Sequence, residues 1–199
     1  MTPAGAVLHP RPGDALIVVD VQNDFLPGGA LAVAEGDAVI PALNRCIALF
    51  ERSKLPIFAS RDWHPPNHCS FAAQGGPWPP HCIAGSAGAA FPQALRLPEA
   101  AHVISKAGTP EKDAYSAFDG TELARRLRES GCRRLFIGGL ATDYCVAATA
   151  RDALAAGFEV IVLPEAMRAV NLKPTDGEQA LEQLRARGAL SARLEQLAA

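Results

Sequence analysis

Basic runs, long apolar stretches and a cysteine framework are all missing from this sequence, and aromatic residues are scarce at 6%. No stretch of lysine and arginine exceeds a pair and the formal net charge is only -2, which argues against nucleic acid or an anionic membrane surface as a partner. No apolar run approaches the ~18 residues of a membrane-spanning helix, and the N-terminus lacks the basic start, apolar core and small-residue cleavage site of a secretory signal. The five cysteines (Cys46, Cys69, Cys82, Cys132, Cys145) are an odd set without framework spacing, so a reducing compartment, the cytoplasm, is the expected location. What is present in quantity is hydrophobic residues, 49% of 199, enough for a single domain over 1–199 to bury a core without covalent staples. A small, largely uncharged ligand suits such a chain best.

Short apolar runs at 16–19, 56–59, 102–104, 135–137 and 160–163 predict buried strands. Between and after them, apolar positions recur at three and four residues over 39–52, 121–129, 144–156 and 175–187, predicting helices, with Gly131, Gly157 and Gly188 placed to cap three of them. Strand and helix alternating in this way imply right-handed crossovers and a doubly wound, mainly parallel sheet, hence a three-layer α/β/α fold of Rossmann-like type. There are no internal repeats. One long irregular stretch, from about 61 to 91, interrupts the alternation, and a loop that long inside a compact domain usually carries function.

That stretch holds three of the chain's five histidines, in Asp62-Trp63-His64-Pro65-Pro66-Asn67-His68 and Trp78-Pro79-Pro80-His81, and six prolines between Pro65 and Pro92 stiffen it. Histidine and carboxylate favour zinc, iron or manganese, so a metal site is expected. Asp62 and His64 alternate by two and would point the same way from an extended segment, with His81 returning across the loop. His68 competes as a fourth ligand or supports the others from outside the ligand set. The ordinary alternative is that these imidazoles satisfy loop backbone groups.

In an open parallel sheet, ligands bind beyond the C-terminal ends of the strands. Asp20, the Asp62/His64 pair, Lys106 and Cys145 all fall at or just after strand ends. Cys145 lies where Gly138-Gly139-Leu140-Ala141-Thr142-Asp143-Tyr144 turns into a helix, whose free N–H groups favour a thiolate and could bind an oxyanion. Taken singly, each has an ordinary role: Asp20 as a turn cap, Lys106 as a solvated lysine, Cys145 as a small buried residue. Their coincidence at one sheet edge is what suggests a site. Phe25, Trp63, Trp78, Tyr115 and Phe118 lie in or beside the same loops, as aromatic walls for a flat ring would.

The segments Val19-Asp20-Val21-Gln22-Asn23-Asp24-Phe25, Arg61-Asp62-Trp63-His64-Pro65, Trp78-Pro79-Pro80-His81-Cys82, Lys106-Ala107-Gly108 and Gly139-Leu140-Ala141-Thr142-Asp143-Tyr144-Cys145-Val146 together resemble the nicotinamidases (pyrazinamidases) of the isochorismatase-like cysteine hydrolase family. The resemblance runs from about Asp14 to Val170. It implies a catalytic triad of Asp20, Lys106 and Cys145, and an oxyanion hole from the backbone N–H groups of Ala141 and Cys145 with a cis peptide at Leu140-Ala141. It further implies one divalent metal held by Asp62, His64 and His81, zinc first, with iron or manganese as alternatives.

By the same resemblance the metal anchors the pyridine nitrogen, Phe25 and Trp78 flank the ring, and Tyr115 belongs to the substrate pocket. The implied reaction is hydrolysis of nicotinamide to nicotinate and ammonia through a Cys145 thioester, in salvage of pyridine nucleotides, with pyrazinamide also accepted. Related hydrolases acting on carbamoylsarcosine or isochorismate are not expected to carry the Asp62, His64 and His81 set. A metallohydrolase in which the metal activates water and Cys145 is incidental is a further alternative, and a noncatalytic scaffold is disfavoured because Gly138-Gly139 lacks the spacing of a phosphate-binding fingerprint. The sequence leaves the oligomeric state open, a homo-oligomer included. From Asn171 onward no motif matches, and 175–199 is expected to pack rather than react.

Overall fold

The computed structural model describes residues 7–198. Positions 1–6 and 199, the extreme ends of the expected domain, lie outside the described residues, and with them most of the stretch read for a secretory signal. Six strands form one sheet in the order β3-β2-β1-β4-β5-β6, every pairing parallel: β1 (Asp14–Val19), β2 (Ile57–Asp62), β3 (His102–Lys106), β4 (Arg134–Leu140), β5 (Glu159–Arg168) and β6 (Leu190–Ser191). The five expected strands are all present. β6 was not foreseen, because two residues hydrogen-bonded to β5 leave no apolar run in the sequence.

Successive side chains of a strand point to opposite faces, and β1 shows how this divides the core. Leu16 and Val18 pack with Ile40, Leu43, Ile47 and Phe50 of α1 (Val39–Arg52), whereas Ala15, Ile17 and Val19 pack on the other face. That second face is covered by Leu123 and Leu127 of α2 (Leu123–Glu129), Ala150 and Ala153 of α3 (Ala147–Ala155) and Leu184 of α4 (Asp176–Ala186). The result is the expected three layers, with β1 buried along its whole length as a central parallel strand should be. Among the described residues no helix is long and apolar enough to cross a membrane. The C-terminal stretch packs as expected, Leu194 entering the α1-side core.

Two local departures bear on the site. The expected helix 144–156 is split: a π-helix at Thr142–Val146, a rare form often found at functional positions, precedes α3. In addition, β4 and β5 shift register between Ile137 and Gly139, and Gly139 takes a φ of +133°. A Cβ there would fall 2.0 Å from the carbonyl oxygen of Val19 in the neighbouring strand, so only glycine lets the two backbones approach. We expect Gly139→Ala to destabilise the fold by about 3 kcal/mol or more, from overpacking plus backbone strain; a urea midpoint equal to that of the intact protein would refute this.

Candidate functional site

Three adjacent strand ends, β1, β2 and β3, bring the ionisable residues together. Asp20 directly follows β1 with φ +48°, its Oδ1 accepting a hydrogen bond from the Ser60 hydroxyl at 2.7 Å. Asp62 and Lys106 are the last residues of β2 and β3, one residue earlier than a loop placement, and lie opposite each other in register. Lys106 Nζ sits 2.5 Å from Asp62 Oδ1, 3.0 Å from Asp20 Oδ2, 2.9 Å from the carbonyl oxygen of Ala114 and 3.5 Å from Cys145 Sγ. All four side chains are buried. One ammonium is therefore shared by two carboxylates, which would be very costly to bury together without it. Asp20 Oδ2 pairs with that ammonium but accepts no well-directed hydrogen bond, which leaves it able to take a proton.

The proton affinities follow from this packing. Burial raises the Asp20 pKa, Lys106 opposes it, and Asp62 adds to the rise; the net shift is upward. Burial also pushes the Cys145 thiol well up, against Lys106 and reinforced by Asp20 and Asp62, so the resting group is a neutral thiol. For Asp62, burial is outweighed by Lys106 and His64, and its carboxyl is held below the usual carboxylate range. Burial would lower Lys106, but Asp20, Asp62 and Cys145 raise it well above its ordinary value. Burial likewise raises Cys46 to about 12 and Cys132 to about 11. Cys145 is thus set apart by its neighbours: Sγ and a carboxylate oxygen each of Asp20 and Asp62 all lie within 4.8 Å of one another.

Asp62 also faces a second group. It offers a carboxylate oxygen, and His64 and His81 one ring nitrogen each, all within 4.8 Å of one another, with His64 Nε2 3.7 Å from Asp62 Oδ2. His64 Nδ1 lies 3.2 Å from the carbonyl oxygen of Ala107, and His81 Nδ1 lies 2.8 Å from that of Pro79. A carbonyl can only accept, so each Nδ1 is the donor there, which leaves each Nε2 as the atom available to a metal. Burial lowers the His81 pKa and keeps that imidazole neutral. These donors fit a divalent ion such as zinc. His68 stacks on His64 at 4.1 Å between ring centroids, with Nδ1 2.7 Å from Ser70 Oγ and Nε2 3.2 Å from the carbonyl oxygen of Lys112. Both its nitrogens are engaged, and it stands outside the cluster.

Cys145 and the Asp62/His64/His81 cluster both line a small cavity, together with Ala141 and with Phe25, Trp78 and Tyr115, the expected pocket residues. Trp78 Nε1 donates to the Tyr115 hydroxyl at 3.0 Å, and the Phe25 ring stands 5.7 Å from His81. The Leu140-Ala141 peptide is cis. Trp63 and Phe118 are elsewhere: Trp63 stacks under the Arg61 guanidinium and Phe118 packs near Phe158. A larger open groove beside α1, at Ile40, Arg45 and Arg96, holds none of the reacting groups.

Sequence reasoning missed Leu31, Val33, Tyr144 and Val170 in the cavity wall. Tyr144 adjoins Cys145 and could have been found by position. Val170 is drawn over by Asp143, whose carboxylate accepts the N–H groups of Val170 and Asn171 at 2.9 and 2.8 Å, a contact with no sequence signal.

Residues 14–196 match the isochorismatase domain family. The chain is 40% identical to the nicotinamidase of Escherichia coli K12, covering 89% of this chain and 93% of that one. Among solved structures, it is similar to the pyrazinamidase of Pyrococcus horikoshii in complex with zinc (TM-score 0.88, 52% identity, 92% of this chain and 99% of that one). It is also similar to a protein of L. infantum in complex with nicotinate (TM-score 0.89, 38% identity, 97% and 98%).

Proposed function

We propose that this chain, which belongs to the isochorismatase family, is a nicotinamidase that hydrolyses nicotinamide to nicotinate and ammonia through a thioester on Cys145. The observation that carries this reading is the buried meeting of Cys145, Asp20 and Lys106, with Cys145 lining a cavity that the Asp62/His64/His81 donor set also lines. A thiol whose Sγ lies within 4.8 Å of a carboxylate oxygen, with burial raising that carboxylate's proton affinity, makes a nucleophile and base pair.

In the first half-reaction Asp20 accepts the Cys145 proton as Sγ bonds to the carboxamide carbon. The oxyanion would meet the N–H groups of Ala141, the N-cap residue, and of Cys145, in the first turn of the π-helix, where backbone donors lack helical partners. Asp20 returns the proton to the amide nitrogen, the C–N bond breaks and ammonia leaves. In the second half-reaction Asp20 takes a proton from water as the water oxygen attacks the thioester; the tetrahedral adduct expels Sγ, which recovers that proton from Asp20, and the acid leaves as nicotinate after losing its other proton to solvent. Lys106 holds its charge throughout and limits the cost of the negative charge passing between Asp20 and Sγ. Asp62, His64 and His81 would hold the divalent ion, zinc foremost, which when bound supplies a Lewis-acid contact for the ring nitrogen. Phe25, Trp78 and Tyr115 wall the ring. Pyrazinamide offers the same carboxamide on a ring that also bears nitrogen, and we include it as a substrate. All five cysteines are free thiols, which supports a reducing, cytoplasmic setting.

The test is ammonia release from nicotinamide, pyrazinamide and benzamide, with protein before and after chelator treatment. Nicotinamide and pyrazinamide should be hydrolysed. Benzamide lacks the ring nitrogen and should fall about 100-fold or more in kcat/KM. Chelation should raise the KM for nicotinamide and returned zinc should restore it. Equal turnover of benzamide, or a KM indifferent to metal removal, would contradict a metal-held ring.

A further inference from the structure

We infer that Asp24 is a positioning residue for the metal ligands, holding the Cys82 peptide and through it both His81 and His64. The inference rests on the proposed reading that Asp62, His64 and His81 hold a divalent ion.

Asp24 stands in the single helical turn Asn23–Phe25 that follows β1. Its Oδ2 accepts the N–H of Cys82 at 2.7 Å and its Oδ1 that of Ala30 at 3.2 Å. Cys82 adjoins His81 in sequence, and its carbonyl oxygen accepts the N–H of His64 at 3.0 Å, while the His64 carbonyl accepts the N–H of Ala84 at 2.8 Å. One residue thus ties the two imidazole segments together.

Cys82 takes a φ of +46°, in the left-handed region that a residue bearing a Cβ adopts only where its surroundings impose it. A charge-assisted hydrogen bond from Asp24 to that residue's own N–H is a direct way to impose it. Asp24 is itself fixed by its N–H on the Gly88 carbonyl at 3.0 Å and by its carbonyl on the N–H of Leu31 at 2.9 Å. Gly88 packs so tightly on the carboxylate that a Cβ there would lie 2.1 Å from Oδ2.

The residue that caps the start of this turn serves the third ligand. The Gln22 side chain accepts the Asp62 N–H at 2.7 Å and donates to the Asp62 carbonyl at 2.8 Å. An aspartate that only capped its own turn would need the Ala30 contact alone; the Cys82 contact crosses to the ligand loop.

The experiment measures zinc affinity by competition with a chromogenic chelator for the intact protein, Asp24→Asn, Gly88→Ala and Asn23→Ala. Asp24→Asn removes the charge and must turn its NH₂ toward one of the two N–H groups. Gly88→Ala displaces the carboxylate while leaving Asp24 in place. Asn23→Ala removes a bond to the Ala87 carbonyl from the same turn without touching 81–82, and controls for loosening of the turn. We expect affinity to fall about 10- to 100-fold in Asp24→Asn and Gly88→Ala and to stay near the intact value in Asn23→Ala. Saturating zinc should recover kcat in both weakened variants, which loss of a reacting group would not allow. Intact affinity in both Asp24→Asn and Gly88→Ala, each folded by circular dichroism, would overturn the assignment. Absence of zinc binding by the intact protein would overturn the underlying metal reading instead, and this inference with it.

Discussion

Cys145→Ala should lose nicotinamide hydrolysis almost completely, with kcat lower by about 10⁴-fold or more, near 5.5 kcal/mol of barrier at 1.36 kcal/mol per tenfold. The size follows from the absence of a substitute. Asp20 Oδ2 is paired to Lys106 in a buried cluster and faces a thiol with which it can exchange a proton; without Sγ, no atom in that cluster can form an acyl intermediate. The fold should survive, because alanine at a buried small residue between Tyr144 and Val146 removes one sulfur atom and no charge. The same variant should still bind nicotinate, since Phe25, Trp78 and the Asp62/His64/His81 set stand on other segments. Steady-state ammonia release and a nicotinate titration separate the two properties. Turnover near that of the intact enzyme would show that water attacks the amide directly, without the thiol.

Lys106→Met should damage both activity and stability. Methionine is close in length but leaves Asp20 and Asp62 buried together with no cation, and breaking a buried pair by removing one partner costs about 3–5 kcal/mol. The pH dependence has a definite sign. Asp62 has a folded pKa below its ordinary value of 3.8, so it contributes stability above that value and loses it as pH falls through the lower, folded one. Lys106 has a folded pKa above its ordinary 10.5, so its contribution is complete below 10.5 and is lost as pH rises through the folded value. The deficit of Lys106→Met should therefore be greatest across the neutral range and shrink on acidification, as the unpaired carboxylates take up protons. Urea unfolding at several pH values measures this. A deficit independent of pH between the acid and neutral ranges would mean that the lysine acts through packing and not charge. Activity should fall about 10³-fold or more, because the transfer of negative charge between Asp20 and Sγ would lose its fixed counter-ion.

Much of this site was legible because strand ends are legible. A run such as 16–19 is apolar, Asp20 ends it, and a parallel sheet delivers such residues to one edge. The split of β1 into Leu16/Val18 and Ala15/Ile17/Val19 likewise follows from a period of two. The bond between Asp62 and Lys106 was not legible. It depends on the register of β2 against β3, two strands joined by a long irregular loop, and register is set by three-dimensional packing on both faces. The triad of Asp20, Lys106 and Cys145 was expected, but for that reason the pair of Lys106 with Asp62, which links it to the metal-ligand set, was not. The π-helix before α3 escaped because its apolar positions read as ordinary helix. Val170 escaped because it enters the cavity through a hydrogen bond to Asp143 and not through any pattern of its own.

The most direct measurement of the thioester route is partitioning of the acyl group between water and added hydroxylamine, using nicotinamide and methyl nicotinate as donors. If both pass through the same nicotinoyl thioester on Cys145, the ratio of nicotinohydroxamate to nicotinate at a given hydroxylamine concentration is identical for the two, whatever the leaving group. A ratio that differs between them would show that no common acyl-enzyme forms and would contradict Cys145 as the nucleophile.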